Sequence, residues 1–155
     1  MKLALLVTLP LYALDQLTKW LVVRSIEFES GRTVIPGFFD LVHYGNTGAA
    51  FSSFSNSNTA FIVLSFVTLC ALAFCAWRRM FIQQSTRLGV ALIYAGVLGN
   101  LTDRILHQHV VDFLLFDLHV RFANPWPAFN VADSCICVAT GIFIAGSFCE
   151  SRRAS

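Results

Sequence analysis

Four stretches of mostly apolar residues, Leu3 to Val23, Thr59 to Trp77, Leu88 to Leu106 and Phe129 to Cys149, dominate this chain of 155 residues. Each is close to the roughly 20 residues that an α-helix needs to cross a hydrocarbon core. A chain this short cannot hide four such runs from water. Charged residues make up 13% of it and hydrophobic ones 56%, with a mean hydropathy of +0.66, whereas about a quarter of a soluble domain is charged. The expected fold class is therefore an all-α polytopic membrane protein with four transmembrane helices. With 11 Lys and Arg against 9 Asp and Glu, the net charge is +2. No basic tract matches phosphates, which excludes a nucleic-acid binder.

An even number of spans puts both termini on one side. Lys2, the Arg78, Arg79 and Arg87 cluster, and Arg152 with Arg153 select that side as cytoplasmic by the positive-inside bias. Residues 24–58 and 107–128 then lie outside. Trp20, Trp77 and Trp126 fall near span ends, where amphipathic rings prefer to sit. The first apolar run lacks a small-residue cleavage site and resumes after Asp15, so it is expected to remain in the mature protein. No internal repeat or linker divides residues 1–155, which are expected to form a single membrane-embedded domain acting as a monomer. Within the outer segments, VIPGFFDLVHY (34–44) and DLHVRF (117–122) carry strand-like patterns, so a small sheet is expected on the outer membrane surface. The five cysteines show no CxxC pair and no His at zinc-ligand spacing. They are expected to act as small buried hydrophobes, with no metal site.

A charge inside a span costs at least about 2.5 kcal/mol, so each one needs a partner or a task. Asp15, Asp103, Asp112 and Asp133 all fall at one depth, near the outer leaflet. Asp15 and Lys19 are spaced i,i+4 with the acid first, the favourable order for a local ion pair, and that pairing accounts for both structurally. Asn100, Asp103 and Arg104 share one helical stripe. Arg104 has donors for either Asp103 or a substrate carbonyl. Asn130 and Asp133 repeat an amide-acid pair at i,i+3, and Asn46 adds an amide beside Gly48. Asp112 and Asp133 have no basic residue at i±3 or i±4. Two unpaired acids at one depth point to proton chemistry. A proton or ion transporter subunit is the alternative reading, although the inner halves of the spans contain no ionisable residue to complete a path. A scaffold with buried polar contacts is a third.

DQLTK (15–19), NTGAAF (46–51), GNLTDR (99–104), VVDF (110–113) and PAFNVADS (127–134), in this order on four apolar runs, resemble the bacterial signal peptidase II (lipoprotein signal peptidase) family. The likeness runs from the first span to the last. One departure is Ala95-Gly96, where the family often has a Gly-Gly pair. The resemblance implies an aspartic endopeptidase of the bacterial inner membrane that removes signal peptides from diacylglyceryl-modified prolipoproteins, cutting N-terminal to the lipidated cysteine. It implies Asp112 and Asp133 as the catalytic pair, with Asp15, Asn46, Asn100, Asp103, Arg104 and Asn130 lining the substrate pocket or orienting the pair. It also implies membrane lipids and globomycin-type inhibitors as ligands, and no cofactor. A site at the outer leaflet spares the substrate's lipid chains from leaving the bilayer.

Overall fold

The computed structural model of the chain describes residues 2–48, 57–80, 83–120 and 126–154. Helices occupy all four apolar stretches: α1 (Lys2–Ser25), α2 (Asn58–Trp77), α3 (Gln84–His107) and α4 (Val131–Ala154). Three strands, β1 (Gly31–Ile35), β2 (Phe39–Asn46) and β3 (Val110–Phe116), form one antiparallel sheet in that order. Among the described residues, two helical stretches, Asn58–Trp77 and Val131–Phe148, are long and apolar enough to cross a membrane, with mean hydropathies of 2.4 and 1.7. α2 buries no residue, and Val63, Leu64, Phe66 and Val67 lie more than half exposed along it. Such a helix is stable only where its surroundings are apolar.

α3 is the central element, packed against both α1 and α4. Without a hydrophobic drive between helices in lipid, close backbone approach through small residues has to hold the bundle together. The glycines of α3 supply it. A Cβ on Gly89 would meet the Phe143 ring at 2.7 Å, one on Gly96 would meet the Ala132 carbonyl oxygen at 2.5 Å, and one on Gly99 would meet Asp15 Oδ2 at 2.5 Å. Ala95, the departure from the family pair, is 1% exposed and packs with Leu92, Cys135 and Ala139.

The first outer segment, strand-like in sequence over 34–44, folds as two strands joined by a turn at Pro36-Gly37. Gly37 adopts φ +71° and the Phe38 N–H donates to Ile35 O at 3.0 Å, the arrangement of a Pro-Gly turn that needs positive φ at its second central residue. The third strand differs from the expectation. It lies at Val110–Phe116, not at 117–122. Gln108 ends α3 in the left-handed region, and the β-branched Val110 and Val111 then enter the sheet opposite Asn46 and Gly45. Asp117, Leu118 and His119 follow outside the strand, where His119 has φ 53° and its N–H is turned back to Asp117 Oδ1 at 3.0 Å. Arg121, Phe122, Asn124 and Pro125 lie outside the described residues, as do Ala49 to Phe51 of the NTGAAF motif.

The cysteine expectation is also corrected. Cys135 is buried, but Cys70 and Cys137 are exposed on the bundle surface and Cys75 is half-buried; all four are free thiols. Apolar runs that face lipid keep their side chains on the outside of the bundle, so an apolar context does not imply burial within the protein.

Candidate active site

The start of α4 is built by three side chains, two local and one from α1. Asn130 precedes the helix and its Oδ1 accepts the Asp133 N–H at 2.9 Å, while Asp133 Oδ2 accepts the Asn130 N–H at 3.2 Å. This is a reciprocal cap of the first turn. Asp15, far away in sequence on α1, takes the Ala132 N–H at 2.8 Å, which places a carboxylate at the positive end of the helix. Residues 126–129 pair back onto β3, with Phe129 N–H on Leu114 O and Phe113 and Leu114 N–H on Phe129 O. That pairing holds the beginning of α4 beside Asp112.

Each carboxylate of the pair is gripped by side-chain amides. Asp112 Oδ2 accepts from Asn46 Nδ2 at 2.9 Å and its Oδ1 from Asn130 Nδ2 at 2.8 Å. Asp133 Oδ1 accepts from Asn100 Nδ2 at 2.8 Å. The orientation of every amide is set by a donor at its oxygen: Gly48 N–H on Asn46 at 2.9 Å, Asp133 N–H on Asn130, and Lys19 Nζ on Asn100 at 3.1 Å. All three therefore turn NH₂ groups toward the carboxylates. Asp112 is 3% exposed. Burial first, and then the neighbouring Asp133 charge, push its carboxyl up to about 7, against the opposing pull of the Asn46 and Asn130 hydrogen bonds and the Lys19 charge.

Behind the pair, Lys19 bridges Asp15 Oδ2 at 2.8 Å and Asp103 Oδ2 at 2.9 Å. Asp103 Oδ2 also takes the Val111 N–H at 3.1 Å, and Gln16 Nε2 reaches Asp103 Oδ1 and the Gly99 carbonyl, both at 3.2 Å. Arg104 does not pair with Asp103. Its Nη2 donates to Gly48 O at 2.9 Å and its guanidinium lies 4.7 Å from the centre of the Phe61 ring. Among the described residues its buried Nε meets no acceptor.

A cavity of about 1060 Å³ opens in front of Asp112 and Asp133. Asn46, Gly48, Asn100 and Arg104 contribute its polar wall; Phe61, Leu64, Val97, Ile136 and Val138 contribute an apolar flank between α2, α3 and α4. Asp15, Asp103 and Asn130 do not line it; they stand behind the residues that do. Sequence spacing could reveal neither the bridging position of Lys19 nor the part played by Gln16, since each reaches partners more than 80 residues away.

The sequence matches the Signal peptidase (SPase) II family over residues 7–149. A lipoprotein signal peptidase of Syntrophotalea carbinolica is 39% identical, covering 98% of this chain and 94% of that protein. One from Geobacter metallireducens is 37% identical, covering 97% and 93%. One from Neisseria meningitidis serogroup C is 43% identical, covering 81% and 76%. Among solved structures, a bacterial membrane enzyme determined by the in meso method at 2.3 Å superposes with a TM-score of 0.88 at 26% identity, covering 98% of this chain and 91% of its own. A second, at 1.9 Å, gives 0.77 at 28% identity, covering 92% and 90%. With sequence agreement along nearly the whole chain and the same fold in a membrane enzyme, the protein belongs to the signal peptidase II family of membrane peptidases.

Proposed function

We propose that this chain is an aspartic endopeptidase that removes the signal peptide from diacylglyceryl-modified prolipoproteins, cutting the peptide bond N-terminal to the lipidated cysteine. One observation carries the reading: Asp112 and Asp133 face a single cavity and are joined through Asn130, which donates to one and is capped by the other. Two carboxyls held this way ionise as a unit, sharing one proton near neutral pH. We assign it to Asp112, whose carboxyl is pushed up to about 7 by burial and the neighbouring Asp133 charge. Asp133 is then the base. It takes a proton from a water as the water oxygen attacks the scissile carbonyl carbon, while Asp112 gives its proton to the carbonyl oxygen. As the tetrahedral intermediate collapses, the C–N bond breaks, the proton on Asp133 passes to the leaving amine of the lipidated cysteine, and one hydroxyl proton of the gem-diol returns to Asp112, leaving a carboxylic acid and restoring the pair. Arg104 lines the cavity, and its guanidinium suits a substrate carbonyl there.

The exposed apolar faces of α1, α2 and α4 support membrane spans, and the Lys and Arg distribution supports four spans with both termini cytoplasmic and the site near the outer leaflet of the inner membrane. The apolar flank of the cavity suits a signal-peptide helix and acyl chains arriving within the bilayer. Globomycin-type inhibitors would compete for the same cavity. Cleavage of a diacylglyceryl-modified prolipoprotein by wild type, Asp112→Asn and Asp133→Asn, each checked for fold by circular dichroism, tests the proposal. Cleavage before the lipidated cysteine that both folded variants lack is the expected result. A folded variant that still cuts would end the aspartic reading, and proton flux through wild type in vesicles would favour a transporter subunit instead.

A further inference from the structure

Lys19 touches neither the cavity nor the two aspartates, yet every proton it can donate leads to them. An ammonium has three donors, and these three are fully used: on Asp15 Oδ2 at 2.8 Å, on Asp103 Oδ2 at 2.9 Å and on Asn100 Oδ1 at 3.1 Å. Each acceptor continues to the catalytic pair by a different route. Asp15 holds the N–H of Ala132, the residue before Asp133, at 2.8 Å. Asp103 holds the N–H of Val111, the residue before Asp112, at 3.1 Å. Asn100 donates directly to Asp133 Oδ1 at 2.8 Å. The two backbone contacts and the one side-chain contact thus begin at a single buried nitrogen on α1 and end on β3 and α4.

We infer that Lys19 is the positioning residue for both aspartates, setting the separation of Asp112 and Asp133 and fixing the Asn100 amide so that its NH₂ faces Asp133. The inference rests on the aspartic reading above. A flipped Asn100 would bring its carbonyl oxygen against the Asp133 carboxylate and its NH₂ against the Lys19 ammonium, two mismatches in a buried site. Lys19 excludes that state. Without its charge, Asp15 and Asp103 would be left as adjacent buried acids with no shared cation, and the carboxylates that hold Ala132 and Val111 would move apart. The local i,i+4 pairing of Asp15 and Lys19 is therefore one arm of a three-armed hub.

Lys19→Met keeps most of the length of the side chain and removes the donors. In detergent-purified protein shown to be folded by circular dichroism and thermal melting, kcat is expected to fall roughly 10²-fold with KM little changed, the size of loss that follows a small misplacement of reacting groups. A change confined to melting temperature, with wild-type kcat in the folded fraction, would overturn the proposal. The pH profile gives a second readout. The charged groups that act on Asp112 are Asp133 on α4, Lys19 on α1 and Arg104 on α3, while Asp15 acts on Asp133, and Asp103 acts on Arg104 and His109. Removing the Lys19 charge is expected to move the alkaline limb to higher pH, and Lys19→Arg, which keeps the charge but not the tetrahedral donor array, to return the limb while leaving kcat low. An alkaline limb that stays in place in Lys19→Met would count against the hub. If Lys19→Met does not fold, Lys19→Arg decides alone: lowered kcat supports the inference and wild-type kcat overturns it. Asp112→Asn and Asp133→Asn run beside them separate the two readings. If those variants cut, the aspartic mechanism fails and the hub with it; if they are inactive while Lys19→Met is unimpaired, only the role of Lys19 fails.

Discussion

Asn130 and Asp133 cap each other across the first turn of α4, Asn130 Oδ1 taking the Asp133 N–H at 2.9 Å and Asp133 Oδ2 taking the Asn130 N–H at 3.2 Å. The same Asn130 uses its NH₂ on Asp112 Oδ1 at 2.8 Å. A helix start and a pair of carboxyls thus depend on one fully buried amide. Asn130→Ala is expected to lose about 1 kcal/mol or more of stability from the cap and also most turnover, because Asp112 loses a donor at the same time. Thermal melting paired with a cleavage assay checks this; normal turnover in a folded variant would separate the cap from catalysis.

Turnover is expected to fall as pH rises through about 7, where Asp112 gives up the shared proton. The hydrogen bond from Asn46 pulls the Asp112 carboxyl down, so Asn46→Ala should shift this alkaline limb to higher pH. A kcat profile over a series of buffers reads the shift, and a limb moving to lower pH would contradict the assignment. Folding should respond in the same sense. Folded Asp112 binds its proton up to about 7 and the unfolded chain only up to 3.8. Its contribution is therefore fully present below 3.8 and is lost as pH rises to about 7. The decline in melting temperature over that window should be shallower in Asp112→Asn.

At Gly99, α3 lies against both α1 and α4. A Cβ there would sit 2.5 Å from Asp15 Oδ2 and 3.0 Å from the Ala132 Cβ. Gly99→Ala is expected to cost roughly 1–3 kcal/mol as an overpacked contact and to reduce activity by pushing Asp15 off the start of α4. Gly141, also helical but with open space around it, is the control: Gly141→Ala should be neutral or stabilise by up to about 1 kcal/mol through helix propensity. Melting curves of the two variants test the contrast, which fails if both behave alike.

β1 is an edge strand with every residue exposed, hydrogen-bonded only to β2 within the sheet. Deleting residues 29–38 is expected to raise KM for the lipidated substrate while leaving the helices folded, because β2 and β3 keep the pairing that carries Asn46 and Asp112. Unchanged KM and turnover would show that the hairpin has no part in holding substrate.

The sequence by itself determined what depends on near neighbours and on solvent. Four apolar runs, too long and too numerous for this charge content, became four helices, and Pro36-Gly37 became a turn. The pairs at i,i+4 and i,i+3, Asp15 with Lys19 and Asn130 with Asp133, formed as spaced, because helical geometry brings such residues together whatever the rest of the chain does. The tertiary structure alone decided which helical faces meet. Glycines 89, 96 and 99 let α3 approach its neighbours, and that approach carried Lys19 to Asp103 and Asn100, and Asn100 to Asp133. It also sent Arg104 to Gly48 instead of Asp103. The third strand was misplaced in sequence because DLHVRF alternates polar and apolar residues whereas VVDFLLF does not, and the pairing of VVDFLLF depends on Gln108 turning left-handed and on Asn46 and Gly45 providing an edge. Buried charges choose partners by proximity and donor count, and proximity between distant segments is a property of packing that spacing along the chain does not contain.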